Sequence, residues 1–94
     1  MFDIEAVGEG RIRLVGRLDA SQTEKATTAL KALAGPLTAD CSALEYISSA
    51  GIGVILETYK RLHDAGHTLT LAHLSPRIRN VFAYAGLDRV LQIE

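Results

Sequence analysis

The stretch Tyr46-Ile47-Ser48-Ser49-Ala50-Gly51-Ile52-Gly53-Val54-Ile55-Leu56 sets two adjacent hydroxyls on a short turn ahead of an apolar run. From about Ala50, residues Ile52, Ile55, Leu56, Tyr59 and Leu62 recur at i, i+3, i+4, i+7 and i+10, and Gly66 closes the run. That spacing predicts an amphipathic helix. A helix N-terminus presents unpaired N–H groups and a positive dipole end, so a phosphate on a serine there is held rather than repelled. The turn therefore suits a phosphate-based switch.

The neighbouring segments supply strands and further helices. Phe2, Ile4 and Ala6 alternate with charged residues, and Gly8-Glu9-Gly10 turns the chain into Arg11-Ile12-Arg13-Leu14-Val15, which predicts an antiparallel hairpin. Ser21-Gln22-Thr23-Glu24 has the form of a capping box, followed by Ala26, Ala29, Leu30 and Leu33 at helical spacing and ended by Gly35-Pro36. Leu37 to Ser42 reads as a third strand. Thr38, Asp40 and Ser42 place polar groups where a central parallel strand is usually apolar, so one of its faces is expected to be locally hydrogen-bonded. Thr68 to Leu74 reads as a fourth strand. Ser75-Pro76 supplies an N-cap and a first-turn proline for a helix carrying Ile78, Val81, Phe82 and Ala85, and Gly86 stops it before a last strand at Val90 to Ile93. The order is ββαβαβαβ. Each helical crossover is long enough for a right-handed βαβ unit, so strands two to five are expected to be parallel, with strand one antiparallel at the edge. With no repeat or linker, residues 1–94 are expected to form a single α/β domain.

Composition narrows the function classes. Ninety-four residues suffice for one layered core but leave no room for a separate active-site domain. Ten Lys plus Arg against eleven Asp plus Glu give a net charge of −1, which supplies no footprint for nucleic acid or an anionic membrane. The single Cys41, among Leu37, Ala39 and Leu44, reads as a small buried residue in a reducing compartment. No apolar run reaches a membrane span, and the first residues, with Asp3 and Glu5, lack the pattern of a signal peptide, so a cytoplasmic location is expected.

In open α/β sheets the loops at the carboxyl ends of parallel strands form the functional edge. Asp19 follows strand two, Ser48 and Ser49 follow strand three, and His73 with Ser75 follows strand four. One of the two serines is open to a purely structural role as an N-cap, and Asp19 to one as a helix-terminus acid. Gly51 and Gly53 each cost about 1 kcal/mol of helix propensity relative to Ala. A chain accepts that where a partner or another backbone comes close, or where the helix packs tightly on the sheet. Val54 falls off the Ile52-Ile55-Leu56 stripe, which leaves it either an exposed apolar contact or packed under helix one or three. His63, His67 and His73 lack metal-ligand spacing, so no metal is assigned. A nucleophile elbow needs Gly two residues before the serine, where Ile47 stands, and no Gly-rich turn with a Lys follows any strand. No catalytic residue is assigned.

Together with Asp40-Cys41-Ser42 and the upstream Gly16-Arg17-Leu18-Asp19, the opening stretch resembles the STAS domain of bacterial anti-sigma-factor antagonists, from about Arg11 to the C-terminus. The resemblance implies a β-α superhelix: a small, mostly parallel sheet with helices packed on it. The family pattern Asp-Ser-Ser/Thr-Gly-Leu-Gly is met by Ser48-Ser49-Ala50-Gly51-Ile52-Gly53, with Ser48 in place of the aspartate and Ala50 in place of a second hydroxyl residue. Ser49 then matches the serine that these antagonists present to a kinase, with Ser48 the second candidate. Asp19, Ser48, Ser49, Gly51, Ile52, Gly53 and Val54 are the implied partner-binding residues. The implied partners are an ATP-using kinase-fold anti-sigma factor, from which the unphosphorylated protein displaces the sigma factor, and a phosphatase that restores it. No cofactor is implied. The alternatives within the resemblance are a STAS scaffold or accessory subunit of a transporter or signalling complex, without phosphorylation, and a small-molecule or nucleotide-binding role.

Overall fold

The computed structural model describes all of residues 1–94. Its strands are β1 (Phe2–Gly8), β2 (Arg11–Leu18), β3 (Leu37–Ile47), β4 (Leu69–Ala72) and β5 (Gln92–Ile93); its helices are α1 (Thr23–Lys31), α2 (Ser49–Asp64) and α3 (Pro76–Tyr84). The sheet has the spatial order β1-β2-β3-β4-β5, antiparallel between β1 and β2 and parallel thereafter, as the element order predicts.

Strictly sequential order has a consequence for the faces. Right-handed crossovers that each step one strand onward in the same direction deliver every helix to the same side. The covered face buries Phe2, Ile12, Leu14, Leu18, Leu37, Ala39, Cys41, Leu69 and Leu71 against Ala26, Leu30, Ile55, Leu62, Ile78 and Phe82 of the helices. The other face stays open and carries Asp3, Glu5, Arg13, Arg17, Thr38, Asp40 and Tyr46. This accounts for the polar alternation in β3, since a parallel strand needs apolar residues on both faces only where both are covered. Local pairing follows: Asp40 accepts from the Ser42 N–H at 2.9 Å, and Arg13 bridges Glu5 and Asp40, both at 3.5 Å. The Ser42 backbone N–H is the main cause that holds the Asp40 carboxyl below its ordinary range. Cys41, on the covered side, is buried, and its thiol is pushed up to about 12 by desolvation.

Three expected boundaries are corrected. β3 runs to Ile47 rather than Ser42, because its register against β2 shifts between Arg13↔Asp40 and Val15↔Ala43 and again between Gly16↔Leu44 and Arg17↔Tyr46. Each irregularity inserts an extra residue in β3, so its inward residues Cys41, Leu44 and Ile47 recur every three positions and the period of two is lost. β4 ends at Ala72, where His73 takes a left-handed backbone (φ 59°), and β5 begins only at Gln92, after a 3₁₀ turn over Leu87–Arg89. The Ser21-Glu24 capping box does not form. A 3₁₀ turn at Ala20–Gln22 precedes α1, and Asp19 caps that turn. The expected caps of the other two helices are present: Ser48 on α2, and Ser75 with first-turn Pro76 on α3.

α1 and α2 are tied at their far ends by Arg61, whose guanidinium donates to the Leu30 and Leu33 carbonyls at 2.8 and 3.0 Å. The Leu30 carbonyl also takes the Leu33 N–H at 3.0 Å, so Arg61 adds a second donor to it just past the last turn of α1, where a cation meets the negative end of the helix dipole. Arg61→Ala is expected to cost about 2 kcal/mol, the scale of charge-assisted hydrogen bonds in a half-buried setting. Arg61→Lys should recover only part, since an ammonium does not fork across two carbonyls. Urea denaturation of the two variants checks this, and an Ala variant as stable as the parent would remove Arg61 from the packing of α1.

Candidate functional site

The carboxyl ends of β2 and β3 meet at one backbone atom, the Leu18 carbonyl. It accepts from the Ser48 N–H at 3.0 Å and from the Ser48 hydroxyl at 3.4 Å. The same hydroxyl oxygen accepts from the Gly51 N–H at 3.1 Å, while the Ser48 carbonyl takes the Ile52 N–H at 2.9 Å. Ser48 has an extended backbone (φ −89°, ψ 172°) suited to an N-cap, and its side chain is half-buried. Ser49 is the first residue of α2. It is exposed, and its hydroxyl enters no hydrogen bond with the rest of the chain.

The two hydroxyls that were equivalent in sequence are thus different in structure. Ser48 seals the joint between strand end and helix start, and Ser49 stands free beside it. The Ser49 and Ala50 N–H groups are the next donors of that helix end without intrahelical acceptors. On the β2 side, Asp19 follows Leu18 directly, and its Oδ1 accepts from the Ser21 hydroxyl at 2.6 Å and the Ser21 N–H at 3.1 Å. The Ser21 hydroxyl is the main cause lowering the Asp19 pKa, with the N-terminus and Arg17 adding smaller pulls. Asp19 therefore keeps its negative charge through the neutral range.

The remaining predicted residues divide by orientation. Gly51 is buried, and a Cβ there would lie 2.6 Å from the Leu18 carbonyl oxygen and 2.9 Å from both Ile47 Cγ1 and Leu18 Cγ. Its close approach is to the protein's own β2. Gly53 is different: a Cβ there would meet nothing within 4 Å. Val54 is buried, so of its two readings the packed one holds and it is not an exposed contact. It floors a groove of about 460 Å³ between α1 and α2, walled by Lys31, Glu57, Lys60 and Asp64 toward the opposite end of α2 from Ser49. Ile52 is half-buried against the core. The outward face of the site is made by Asp19, Ser49, Ala50 and Gly53.

Two residues escaped the sequence reading. Arg17 and Tyr46 are register partners on β2 and β3, both exposed, and the guanidinium carbon lies 4.4 Å from the ring centroid. The local sequence pattern ends the third strand before Tyr46, which hides this pairing. His73 and Ser75 lie at the end of β4; Ser75 is occupied in capping α3 through the Ile78 N–H at 3.3 Å. No group of three or more His, Cys, Asp or Glu is placed to hold a metal ion, and no helix is long and apolar enough to cross a membrane.

Comparison with known proteins agrees with this architecture. A Thermotoga maritima protein provisionally described as an anti-sigma factor antagonist has a solved structure that superposes with a TM-score of 0.81 at 20% identity, covering 98% of this chain and 84% of that one. The Bacillus cell fate determinant SpoIIAA, solved in its phosphorylated form, superposes with a TM-score of 0.65 at 23% identity, covering 100% and 91%. At these identities the likeness is one of fold. In sequence, Bordetella bronchiseptica BtrV, provisionally named an anti-sigma factor antagonist, is 43% identical over 54 residues, 57% of this chain and 47% of that protein. The match therefore spans about half the length of that curated relative. Residues 3–92 match the family described as "Mlab, STAS domain". Because that match runs through all five strands and all three helices, the chain belongs to the STAS-domain family.

Proposed function

We propose that this chain is a phosphorylation-switched protein-binding module, an anti-sigma-factor antagonist whose switch residue is Ser49. Unphosphorylated, it docks on a kinase-fold anti-sigma factor in the cytoplasm and releases the sigma factor. The kinase spends ATP to modify Ser49, and a phosphatase reverses the step. The observation that carries this reading is the division of labour in the turn: Ser48 is bound into the joint, while Ser49 is free and exposed on the first turn of α2. A kinase must reach the hydroxyl it modifies. The named relatives support the partner class, and SpoIIAA is known in both unphosphorylated and phosphorylated forms.

A phosphate on Ser49 adds close to two negative charges. The unpaired N–H groups of α2 hold it without cost to the fold, but at the centre of a docking surface it opposes binding by desolvation and by repulsion from acidic partner groups. Incubation with the purified kinase-fold anti-sigma factor of the same organism and ATP is expected to add one phosphate. Peptide mapping should place it on Ser49. Ser49→Ala should abolish incorporation, whereas Ser48→Ala should retain it while losing about 1 kcal/mol of stability with the cap. Phosphate found on Ser48 alone would overturn the site. No phosphate at all would leave the scaffold or accessory-subunit reading.

A further inference from the structure

We propose that the docking surface extends past the Ser49 turn onto the open sheet face, where Arg17, seated on Tyr46, receives a carboxylate of the partner. This rests on the switch reading above and adds to it a charge-bearing contact.

Four observations carry it. The open face of the sheet has no helix over it, and Arg17 and Tyr46 are both exposed on it at the carboxyl ends of β2 and β3. They adjoin the switch directly: Arg17 precedes Leu18, whose carbonyl holds Ser48, and Tyr46 lies two residues before Ser48. The guanidinium is already positioned, because its carbon lies over the Tyr46 ring, 4.4 Å from the centroid. Finally, Arg17 forms no ion pair, although Arg13 on the same face has two, with Glu5 and Asp40. The neighbouring Asp19 carboxylate is engaged instead by Ser21.

A guanidinium held over a ring makes that contact through its charge and has N–H donors at its edge left for a further partner. That edge is a fork of donors matched to a carboxylate, and pre-orientation lowers the entropy lost when the bond forms. Arg and Tyr are also the side chains most enriched where binding energy concentrates. The chemistry that complements this pair is an Asp or Glu of the anti-sigma factor, positioned beside the segment that reads Ser49. Asp19, on the other side of Leu18, carries the opposite charge, so the strand end offers the partner an ordered plus-and-minus pattern that fixes its register.

The test is a titration of variants against the purified kinase-fold anti-sigma factor of the same organism. Arg17→Glu is expected to weaken binding about 30-fold or more, Arg17→Lys about 3- to 10-fold, and Tyr46→Ala about 10-fold. Arg11→Glu makes the same charge change on the same strand at its opposite end, beside Thr38, and should stay within about threefold of the parent. Replacing the partner's matching Asp or Glu by Arg should restore affinity to Arg17→Glu alone. Circular dichroism on each variant keeps folding out of the comparison; if Tyr46→Ala is destabilised, Arg17→Lys carries the result. Equal losses at Arg11 and Arg17 would reduce the effect to net charge and overturn the contact. If Arg17→Glu binds like the parent while Ser49→Asp does not, the contact falls and the switch stands. If neither variant changes affinity, both fall.

Discussion

Gly51→Ala is expected to lower stability by about 3 kcal/mol, enough to take more than about 10 °C from the melting temperature of a domain this size. The added methyl would sit 2.6 Å from the Leu18 carbonyl oxygen and 2.9 Å from the Leu18 and Ile47 side chains. Two of these contacts belong to residues that are themselves buried, and the third is a backbone atom already bonded to Ser48. Relief requires moving the start of α2 away from β2, which also strains the Ser48 cap. Ala gains about 1 kcal/mol over Gly in helix propensity, too little to offset that overlap. Gly53→Ala tests the same gain without the overlap, since open space surrounds its Cβ direction. It should raise stability by up to about 1 kcal/mol while placing a methyl on the outward face of the proposed switch. The two melting curves should therefore move in opposite directions. A Gly51→Ala protein that melts with the parent would remove the close packing of α2 on β2 from the account.

For Ser49→Asp the effects on folding and on binding have opposite signs. A carboxylate on the first turn of α2 is favourable to the helix dipole by about 0.3 to 1 kcal/mol, and the exposed position demands no desolvation. The variant should stay folded and melt at or slightly above the parent temperature. At the proposed interface the same charge would be buried opposite a surface complementary to a neutral hydroxyl. It should cost a few kcal/mol, a loss of about a hundredfold or more in affinity for the kinase-fold partner. Ser49→Ala removes no cap, because Ser48 supplies it, so it should retain both stability and affinity while losing the ability to be phosphorylated. Calorimetric titration of the two variants with the partner measures the contrast. An Asp variant that binds as tightly as the parent would rule out Ser49 as the centre of a charge switch.

The features legible in the sequence were those written in neighbouring residues. The 3.6-residue stripe of Ile52, Ile55, Tyr59 and Leu62, the Ser75-Pro76 helix start, the hairpin at Gly8-Glu9-Gly10 and the alternation of segments determined the element order. The order in turn determined a parallel sheet with an antiparallel edge. Ser48 and Ser49 marked the start of α2 by the same local logic. What misled the reading was also local: Ser21 and Glu24 have capping-box spacing, yet Asp19 takes the Ser21 hydroxyl and N–H first and winds a 3₁₀ turn ahead of α1.

Contacts between residues far apart in the chain decided the rest. The irregular register of β3 against β2 changed its inward spacing from two to three residues, which hid Tyr46 in a segment that looked like loop. The surroundings of Ser48 and Ser49, of Gly51 and Gly53, and of Val54 are each set by what α2 lies against. Ser48 reaches a carbonyl 30 residues earlier in the chain, and Gly51 is crowded by that same atom. Caps and periodicity depend on backbone geometry within one or two turns, so composition and spacing determine them. Which of two adjacent hydroxyls is sealed and which is free depends on where the end of β2 is held by the sheet. No spacing within residues 46–56 encodes that position; it is set by the packing of β2 beside β3.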